Sequence, residues 1–196
     1  PLVVAEYGSY YHGLFVQTGD AKWLRGLSKM CNWLIENQCD NGAWYYHWPN
    51  SYAGVTIDPP WASSVTQGFA AQTLIKHLKL MEDRKKYLSV IKKALLFGKV
   101  PVNQGGIGFE IGNGCLFFEE MPGNKPTHIL NGHLTFIMSL MDYLEIEPDE
   151  DIRDLLNSGI KGLLKTIHFF DSGFWSRYDM LPPLTGGKKQ RVYFTP

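Results

Sequence analysis

Two adjacent carboxylates, Glu119 and Glu120, follow a short apolar run and precede a Pro-Gly turn. A carboxylate on a loop held by rigid elements is a common source of general acid-base chemistry. If residues 116–120 form a strand, successive side chains point to opposite faces. Phe118 and Glu120 would then share one face, and Phe117 and Glu119 the other. One carboxylate could face a cavity while its neighbour serves the structure, although two solvated glutamates on a hairpin fit the same pattern.

Further polar residues stand near the starts of predicted helices, where they could bind a ligand. Gln67 lies among small residues in 61–68, and His128, Asn131 and His133 surround the start of a later apolar segment. An amide or imidazole at a helix start can cap the helix or contact a ligand hydroxyl, and small residues beside it also permit close helix packing. Both alternatives stay open for each of these residues at this point.

Aromatic residues are abundant, with six Trp, ten Tyr and eleven Phe in 196 residues. Carbohydrate sites use such rings as platforms, although the hydrophobic core is the commoner place for any single ring. Tyr46, Trp61 and Trp175 lie in or near turns rich in glycine and aromatic residues, and we predict that they contact substrate. Arg177 follows Trp175 closely and could meet an anionic group of the same ligand.

Composition excludes several other classes of partner. The 19 basic and 19 acidic residues give no net charge, so bulk electrostatics predict neither nucleic-acid binding nor attachment to an anionic membrane. No apolar stretch in these residues is long enough for a transmembrane helix, and none of them is predicted to be a signal peptide. Cys31, Cys39 and Cys115 have no metal-ligand or disulfide spacing and are predicted to be free thiols. We predict no metal and no cofactor, and the residues do not indicate a compartment.

The chain repeats one pattern three times: a helix, a short acidic turn, a second helix, then a Gly-aromatic hairpin. Asp20 and Asp149 are predicted to cap the second helices of the first and third copies. Apolar residues recurring at intervals of three and four predict six helices, over 5–16, 21–37, 62–81, 85–96, 129–143 and 151–168. Taking Gly42, Gly106 and Gly173 as equivalent points, the period is about 65 residues.

Repeated helical hairpins at one period indicate an array in which each unit buries its face on the next. We therefore predict an all-α fold, an incomplete (α/α) toroid with short Gly-aromatic β-hairpins at its rim. A solenoid or an irregular bundle is the alternative, but neither needs the aromatic hairpins. Residues 1–196 are expected to form one such domain and to be a fragment of a longer chain.

The sequence resembles the C-terminal, helical catalytic domain of the D-glucuronyl C5-epimerases over nearly its whole length. The combination of the Glu-Glu pair with Leu-Asn-Gly is fairly specific, whereas the Gly-aromatic turns are generic to toroids. The motifs that carry the resemblance occur in the family's order: Ala5-Glu6-Tyr7-Gly8, Thr18-Gly19-Asp20, Asp40-Asn41-Gly42-Ala43-Trp44, Ser64-Val65-Thr66-Gln67-Gly68, Phe118-Glu119-Glu120-Met121-Pro122, Ile129-Leu130-Asn131-Gly132-His133 and Tyr178-Asp179.

The resemblance implies an enzyme that inverts C5 of glucuronate to iduronate within a heparosan-like, acidic polysaccharide. The family's catalytic glutamate falls on Glu120, and a family tyrosine falls on Tyr178. A further essential tyrosine of the family stands in a Trp-Asp-Tyr-His-type motif, and Tyr193 in Arg191-Val192-Tyr193-Phe194 is its candidate here. The resemblance also leaves a homodimer open.

Inversion at C5 needs a base on one face of the sugar and an acid on the other. Glutamate and tyrosine have ordinary pKa values of ~4.3 and ~10, so the site must shift both toward neutrality. We predict that Glu120 and a tyrosine face each other across the sugar. Arg177 or a nearby histidine, His128 or His133, would neutralise the substrate carboxylate.

Two other function classes remain open from the sequence. A polysaccharide lyase or glycoside hydrolase could use the same fold, and a hydrolase would pair Glu120 with Asp58 or Asp179. A non-catalytic glycan-binding domain would keep the aromatic rings without the proton chemistry. Chain cleavage distinguishes the first class, and the lack of hydrogen exchange at C5 distinguishes the second.

Overall fold

The computed structural model describes residues 1–81 and 84–181. Short 3-10 helices occur at Phe97–Lys99, Val102–Gln104 and Ile167–Phe170. The α-helices in these ranges are α1 Leu2–Thr18, α2 Ala21–Glu36, α3 Ser64–Leu78, α4 Lys85–Leu96, α5 Leu130–Leu144 and α6 Glu150–Thr166. The strands form two antiparallel pairs, β1 Asn50–Tyr52 with β2 Val55–Ile57, and β3 Gly108–Glu110 with β4 Leu116–Phe118.

Helices α1, α3 and α5 pack side by side, and α2, α4 and α6 each pack against the helix that precedes them. Twelve of the fifteen residues of α3 are buried, as its position between α1 and α5 requires. The outer helices α2 and α6 bury only one stripe of residues each. The predicted mainly helical class with short strand hairpins is confirmed. A toroidal ring and a single domain over 1–196 stay predictions.

The sequence signals for helix starts correspond to real caps. The Asp20 carboxylate accepts a hydrogen bond from the Lys22 N–H at 2.8 Å, and the Asp149 carboxylate accepts one from the Ile152 N–H at 3.2 Å. Helix α4 has the predicted bounds, whereas α3 is shorter than the predicted 62–81 at both ends. The N–H of its first residue, Ser64, donates to the Glu119 carbonyl at 3.0 Å, which joins α3 directly to the Glu-Glu segment.

A strand hairpin follows two of the three Gly-aromatic turns: β1–β2 after the first turn and β3–β4 after the second. On either side of β1–β2, Tyr46 and Trp61 exchange two backbone hydrogen bonds of 2.8 and 3.1 Å. The third turn is closed by a single bridge between Asp171 and Ser176. The predicted strand hairpin is therefore present in the first and second copies, whereas the third copy has only this bridge.

Gln67, predicted to bind substrate, is part of the core instead. Its side chain is fully buried, and its Oε1 accepts the Trp44 N–H at 2.9 Å. Its Nε2 donates to the carbonyls of Gly42 at 3.1 Å and Ala94 at 3.4 Å. One amide thus satisfies backbone groups from the first turn and from α4, which leaves it no group to offer a ligand.

Replacing Gln67 with Met keeps the volume but removes the hydrogen-bond acceptor of the Trp44 N–H, whereas the Gly42 carbonyl keeps a hydrogen bond from the Gln38 amide. A buried unsatisfied backbone group costs about 1–3 kcal/mol, so we expect Gln67→Met to lower the free energy of unfolding by at least that amount. Urea denaturation measures the difference. The matched control, Gln17→Met at an exposed position of α1, should change stability by less than about 0.5 kcal/mol. Equal stability of the two variants would contradict this role.

Candidate active site

Glu120 lies just beyond β4, where α3 and α5 begin, and only 7% of the residue is exposed. Its Oε1 accepts a hydrogen bond from the Tyr178 hydroxyl at 3.3 Å. The Tyr178 carbonyl in turn accepts the N–H of Leu130, the first residue of α5, at 3.1 Å. The start of α5 therefore fixes the backbone of the tyrosine beside the carboxylate.

The other oxygen of Glu120, Oε2, faces Gly132 and Ser64. A Cβ atom at Gly132 would lie 2.5 Å from Glu120 Cβ, 2.6 Å from Ser64 Oγ and 2.9 Å from Glu120 Oε2. Both Glu120 Oε2 and Ser64 Oγ are buried without a hydrogen-bond partner among residues 1–81 and 84–181. Buried polar groups normally have partners, so this pair of atoms could accept or donate hydrogen bonds to a bound ligand.

Burial raises the pKa of Glu120 above its ordinary value of 4.5, and the negative charge of Glu119 raises it further. The Tyr178 hydroxyl, the Asn131 amide and the Gly132 N–H oppose this shift. Of these groups, only Tyr178 reaches regular hydrogen-bond geometry with the carboxylate. The pKa of Glu120 is thus shifted toward neutral pH, which is the direction that a general base requires.

The position of the site adds a second electrostatic feature. The first turns of α3 and α5 both contact Glu120, through Ser64 and Gly132. The N-terminal end of a helix carries a partial positive charge from its unpaired N–H groups. Negative charge that develops on a ligand beside Glu120 would therefore be stabilised by two helix ends.

A pocket of about 320 Å³ contains several of the predicted site residues, and its wall includes Tyr178, the hydrogen-bond partner of Glu120. It is lined by the first residues of α5, including Asn131, and by the segment 175–178. Trp175, Arg177 and Tyr178 are therefore neighbours in one pocket. Arg177 is half-buried, and its Nη2 donates to the Leu181 carbonyl at 3.2 Å. The pocket combines a cation, an amide and an aromatic ring, the groups that bind an acidic sugar.

Glu119 has a structural role on the other side of the chain. It is fully buried, and its carboxylate accepts the Thr127 N–H, the Thr127 hydroxyl and the His128 N–H at 2.8 to 3.2 Å. These bonds hold His128 at a φ of 46°, in the left-handed region that a residue other than glycine rarely adopts. The two adjacent carboxylates thus contact different sets of residues.

His128 was predicted to bind substrate, but its ring lies on the Glu119 side, away from Glu120. Its Nδ1 lies against Glu119 Oε1 without hydrogen-bond geometry. The ring packs against Phe109 and Phe117, with centroid distances of 4.9 and 4.7 Å. The imidazole thus packs against Glu119 and two aromatic rings, and it does not line the pocket that contains Arg177.

His133 also does not supply a cation. Burial lowers its pKa to about 3, so the ring is neutral near pH 7. Its Nδ1 accepts the Phe118 N–H at 2.9 Å, and its Nε2 lies 3.2 Å from the Gly159 carbonyl. The imidazole therefore links β4 to α6, and among the candidate cations Arg177 is the one placed at the pocket.

Tyr46 and Trp61 lie near Glu120 as a stacked pair, with ring centroids 4.4 Å apart. The Tyr46 hydroxyl bonds with Thr66 Oγ1 at 2.7 Å. Burial raises the pKa of Tyr46, and the negative charges of Glu6 and Glu120 add to the shift. Trp61 is buried, whereas Tyr46 is partly exposed, so Tyr46 is the more accessible member of the pair.

Sequence reasoning missed the pairing of Tyr52 with Asp179. The Tyr52 hydroxyl donates to Asp179 Oδ2 at 2.6 Å, and the Tyr52 ring lies 6.2 Å from that of Tyr178. No local signal could have found this contact, because the two residues are separated by 127 positions. Tyr193, the third predicted catalytic residue, lies outside the described residues. Within those residues, no group of three His, Cys, Asp or Glu could hold a metal ion.

The close packing at Gly132 predicts a large effect of one methyl group. In Gly132→Ala, the new Cβ would overlap Glu120 and Ser64, and overpacking of this kind costs about 1–3 kcal/mol. Thermal denaturation should show a lower midpoint, and the variant should also lose activity because Glu120 is displaced. In the control Gly13→Ala, the methyl group meets no atom within 4 Å, so helix α1 should keep or gain stability. Equal melting of both variants would contradict this packing.

The raised pKa of Glu120 predicts that stability depends on pH in a defined direction. A carboxyl group whose pKa is raised on folding favours the folded state below its unfolded pKa, and this contribution is lost as pH rises through the folded pKa. Glu120→Gln removes the buried charge. We therefore expect this variant to be stabilised relative to the parent more at pH 7.5 than at pH 4, measured by urea denaturation. A difference independent of pH would contradict the shift.

Several known proteins are similar in sequence to this chain. Residues 37–192 match the family model described as the D-glucuronyl C5-epimerase C-terminus. A D-glucuronyl C5-epimerase from Caenorhabditis elegans is 29% identical over 163 residues, which cover 76% of this chain and 26% of the relative. An uncharacterized protein from Methanocaldococcus jannaschii is 27% identical over 124 residues, covering 62% of this chain and 40% of that protein. The chain thus spans well under half the length of these curated relatives.

Among solved structures, the cellobiose 2-epimerase from Spirochaeta thermophila superposes with a TM-score of 0.55 and 13% identity. The match covers 86% of this chain and 43% of that one, and it supports the arrangement of helical hairpins. None of the helices in the described ranges combines the length and hydropathy needed to cross a bilayer. Because the family model matches most of the chain, this protein belongs to the family defined by the C-terminal region of the D-glucuronyl C5-epimerases.

Proposed function

We propose that this chain carries the catalytic centre of a carbohydrate epimerase that inverts C5 of a uronate unit within a polysaccharide. The observation that supports this most is the buried Glu120, whose pKa is raised and whose Oε1 is hydrogen-bonded to Tyr178 beside a pocket containing Arg177. Membership of the C5-epimerase family and the name of the Caenorhabditis elegans relative support the same reaction. We propose a heparosan-like chain of glucuronate as the substrate.

In the proposed reaction, the Glu120 carboxylate removes the proton from C5 of the sugar. The C5–H bond breaks, and its electron pair moves into the adjacent carboxylate of the substrate, which carries the added negative charge. Arg177 and the N-terminal ends of α3 and α5 stabilise this charge. Return of a proton to the opposite face of C5 completes the inversion.

The contact between Glu120 and Tyr178 changes the predicted arrangement of acid and base. Their oxygens are 3.3 Å apart, so a sugar ring cannot lie between them in this conformation. We therefore propose that Tyr178 acts on the same face as Glu120, where it positions the carboxylate and exchanges protons with it. Tyr193 remains our candidate for the proton donor on the opposite face.

Replacing Glu120 with Gln should abolish C5 chemistry while keeping the shape of the site. Loss of the base should lower the exchange rate by at least ~10²-fold. The measurement is incubation of the full-length protein with heparosan in deuterated water, followed by NMR of the C5 position. Glu36→Gln, at an exposed position of α2, is the matched control and should keep full exchange. Exchange at the parental rate in Glu120→Gln would overturn the assignment.

Polysaccharide lyases share the first step of this scheme, because they also remove a proton at C5 and then expel the C4 substituent. A hydrolase would need a second carboxylate that is open to the sugar. Asp179 does not fit this role, since its oxygens accept hydrogen bonds from the Tyr52 hydroxyl and the Leu181 N–H. Chain-length analysis of the deuterated sample separates these three enzyme classes, because only the epimerase leaves the polymer intact.

A homodimer of this chain stays a prediction.

A further inference from the structure

The β1–β2 hairpin holds the chain segment that follows Glu120. The Asn124 N–H donates to the Thr56 carbonyl at 3.0 Å, and the Thr56 N–H donates to Asn124 Oδ1 at 3.2 Å. A Cβ atom at Gly123 would lie 2.4 Å from a methyl carbon of Val55 and 2.5 Å from the Thr56 carbonyl oxygen, so this turn packs directly on the hairpin. The chain that leaves Glu120 is therefore fixed by β2.

The same hairpin also holds the segment that carries Tyr178. At the end of β1, the Tyr52 hydroxyl donates to Asp179 Oδ2 at 2.6 Å, and Asp179 Oδ1 accepts the Leu181 N–H at 2.9 Å. Only 4% of Asp179 is exposed, so its carboxyl group depends on donors from the protein rather than on water. The Tyr52 and Tyr178 rings also lie 6.2 Å apart, inclined at 54°. One hairpin thus contacts both chain segments that meet in the active-site hydrogen bond.

The turn that joins β1 to β2 has an unfavourable backbone conformation. Ala53 and Gly54 have φ angles of 54° and 81°, both in the left-handed region. Two-residue hairpin turns of this kind favour asparagine and glycine, whereas an alanine in the first position is strained. Strain of this sort persists where the surrounding contacts require it, and it often occurs at functional sites. Here the turn places Tyr52 at the last position of β1, opposite Val55, from which it reaches Asp179.

Backbone hydrogen bonds fix the chain on both sides of Asp179. The Tyr178 carbonyl accepts the Leu130 N–H at 3.1 Å, and the Met180 N–H donates to a carbonyl of the loop before α5 at 3.3 Å. The two peptide groups that flank Asp179 are thus held by the protein, and the Tyr52 hydroxyl adds a third contact through the side chain. Reacting groups that are supported at several points in this way keep a narrow range of geometry.

We propose that Tyr52 is a positioning residue of the active site, acting through Asp179. It holds the Tyr178 hydroxyl 3.3 Å from Glu120 Oε1 without contacting the sugar itself. The proposal rests on the proposed function for the reaction that this contact serves, whereas the contact can be tested without turnover.

The first measurement is the titration of Glu120 in the full-length protein, followed by NMR of isotope-labelled glutamate carboxyl groups and assigned from the signal that Glu120→Gln lacks. Burial raises the pKa of Glu120, and the hydrogen bond from Tyr178 opposes that rise. Tyr52→Phe removes only the hydroxyl that fastens the Tyr178 segment, so Glu120 should titrate at a higher pH in this variant than in the parent. Glu119 and Tyr46 also interact electrostatically with Glu120, and the substitution changes neither of these side chains.

Tyr87→Phe is the matched control. It removes a hydroxyl that bonds with Nδ1 of the buried His77 at 2.9 Å. His77 lies close to the end of α3 that is opposite to Ser64, about 20 Å away along the helix axis. This variant should lose stability much as Tyr52→Phe does, yet its Glu120 should titrate as in the parent.

Ala53→Gly separates positioning from a general loss of stability. Glycine suits the φ of 54° at this position, so adding Ala53→Gly to Tyr52→Phe should recover stability. It does not restore the missing hydroxyl, so Glu120 should still titrate at the higher pH. The double variant also gives a folded sample if Tyr52→Phe alone is too unstable. An unshifted Glu120 titration in Tyr52→Phe, or its return to the parental pH in the double variant, would overturn the positioning role.

Kinetics give a second readout that a purely structural role would not produce. With heparosan in deuterated water, Tyr52→Phe should lower kcat for C5 exchange by about tenfold and leave KM unchanged, because displaced groups slow the chemical step rather than weaken binding. A shifted Glu120 titration, without C5 exchange in the parent, would support the positioning contact and refute the proposed reaction. C5 exchange in the parent, with no shift in Tyr52→Phe, would refute the positioning role alone.

Discussion

Two neighbouring carboxylates are buried where α3 and α5 begin, and the arrangement of the site depends on how differently they are solvated. Glu119 has three hydrogen bonds from Thr127 and His128, so its charge is well compensated. Glu120 has one long hydrogen bond from Tyr178 and an oxygen with no partner in the described chain. Desolvation of this kind raises the pKa of a carboxyl group. Glu119 therefore stabilises the loop, whereas Glu120 keeps a carboxylate oxygen that can still accept a hydrogen bond.

The helical layers explain why such a pair can be buried at one place. Helix α3 is buried between α1 and α5, and a Cβ at Gly68 would lie 3.0 Å from the Thr135 carbonyl. Close approach of α3 and α5 also brings their first turns together. Ser64 and Gly132 are small enough for the Glu120 side chain to enter between these turns. Close helix packing and the buried carboxylate are thus two consequences of the same small residues.

Helices and two of their caps could be predicted because the signals are local: apolar periodicity for the helices, and an aspartate before α2 and α6 for the caps. Strand alternation likewise predicted that Glu119 and Glu120 contact different surroundings. The roles of Gln67 and His128 could not be predicted, since an amide or imidazole near a helix start has the same sequence signal whether it binds backbone or ligand. The Gln67 side chain forms hydrogen bonds with backbone groups that lie 23 to 27 positions away in the sequence. Only the folded chain reveals such partners.

Two buried oxygen atoms at the site have no hydrogen-bond partner in the described chain, and this lowers the stability of the folded protein. Leaving Glu120 Oε2 and Ser64 Oγ buried without hydrogen bonds destabilises the folded protein by the desolvation cost of each group. A group that gave these two atoms hydrogen-bond partners would recover this free energy. A polar group would be favoured beside these atoms over an apolar one, because an apolar group would leave the same two atoms unsatisfied.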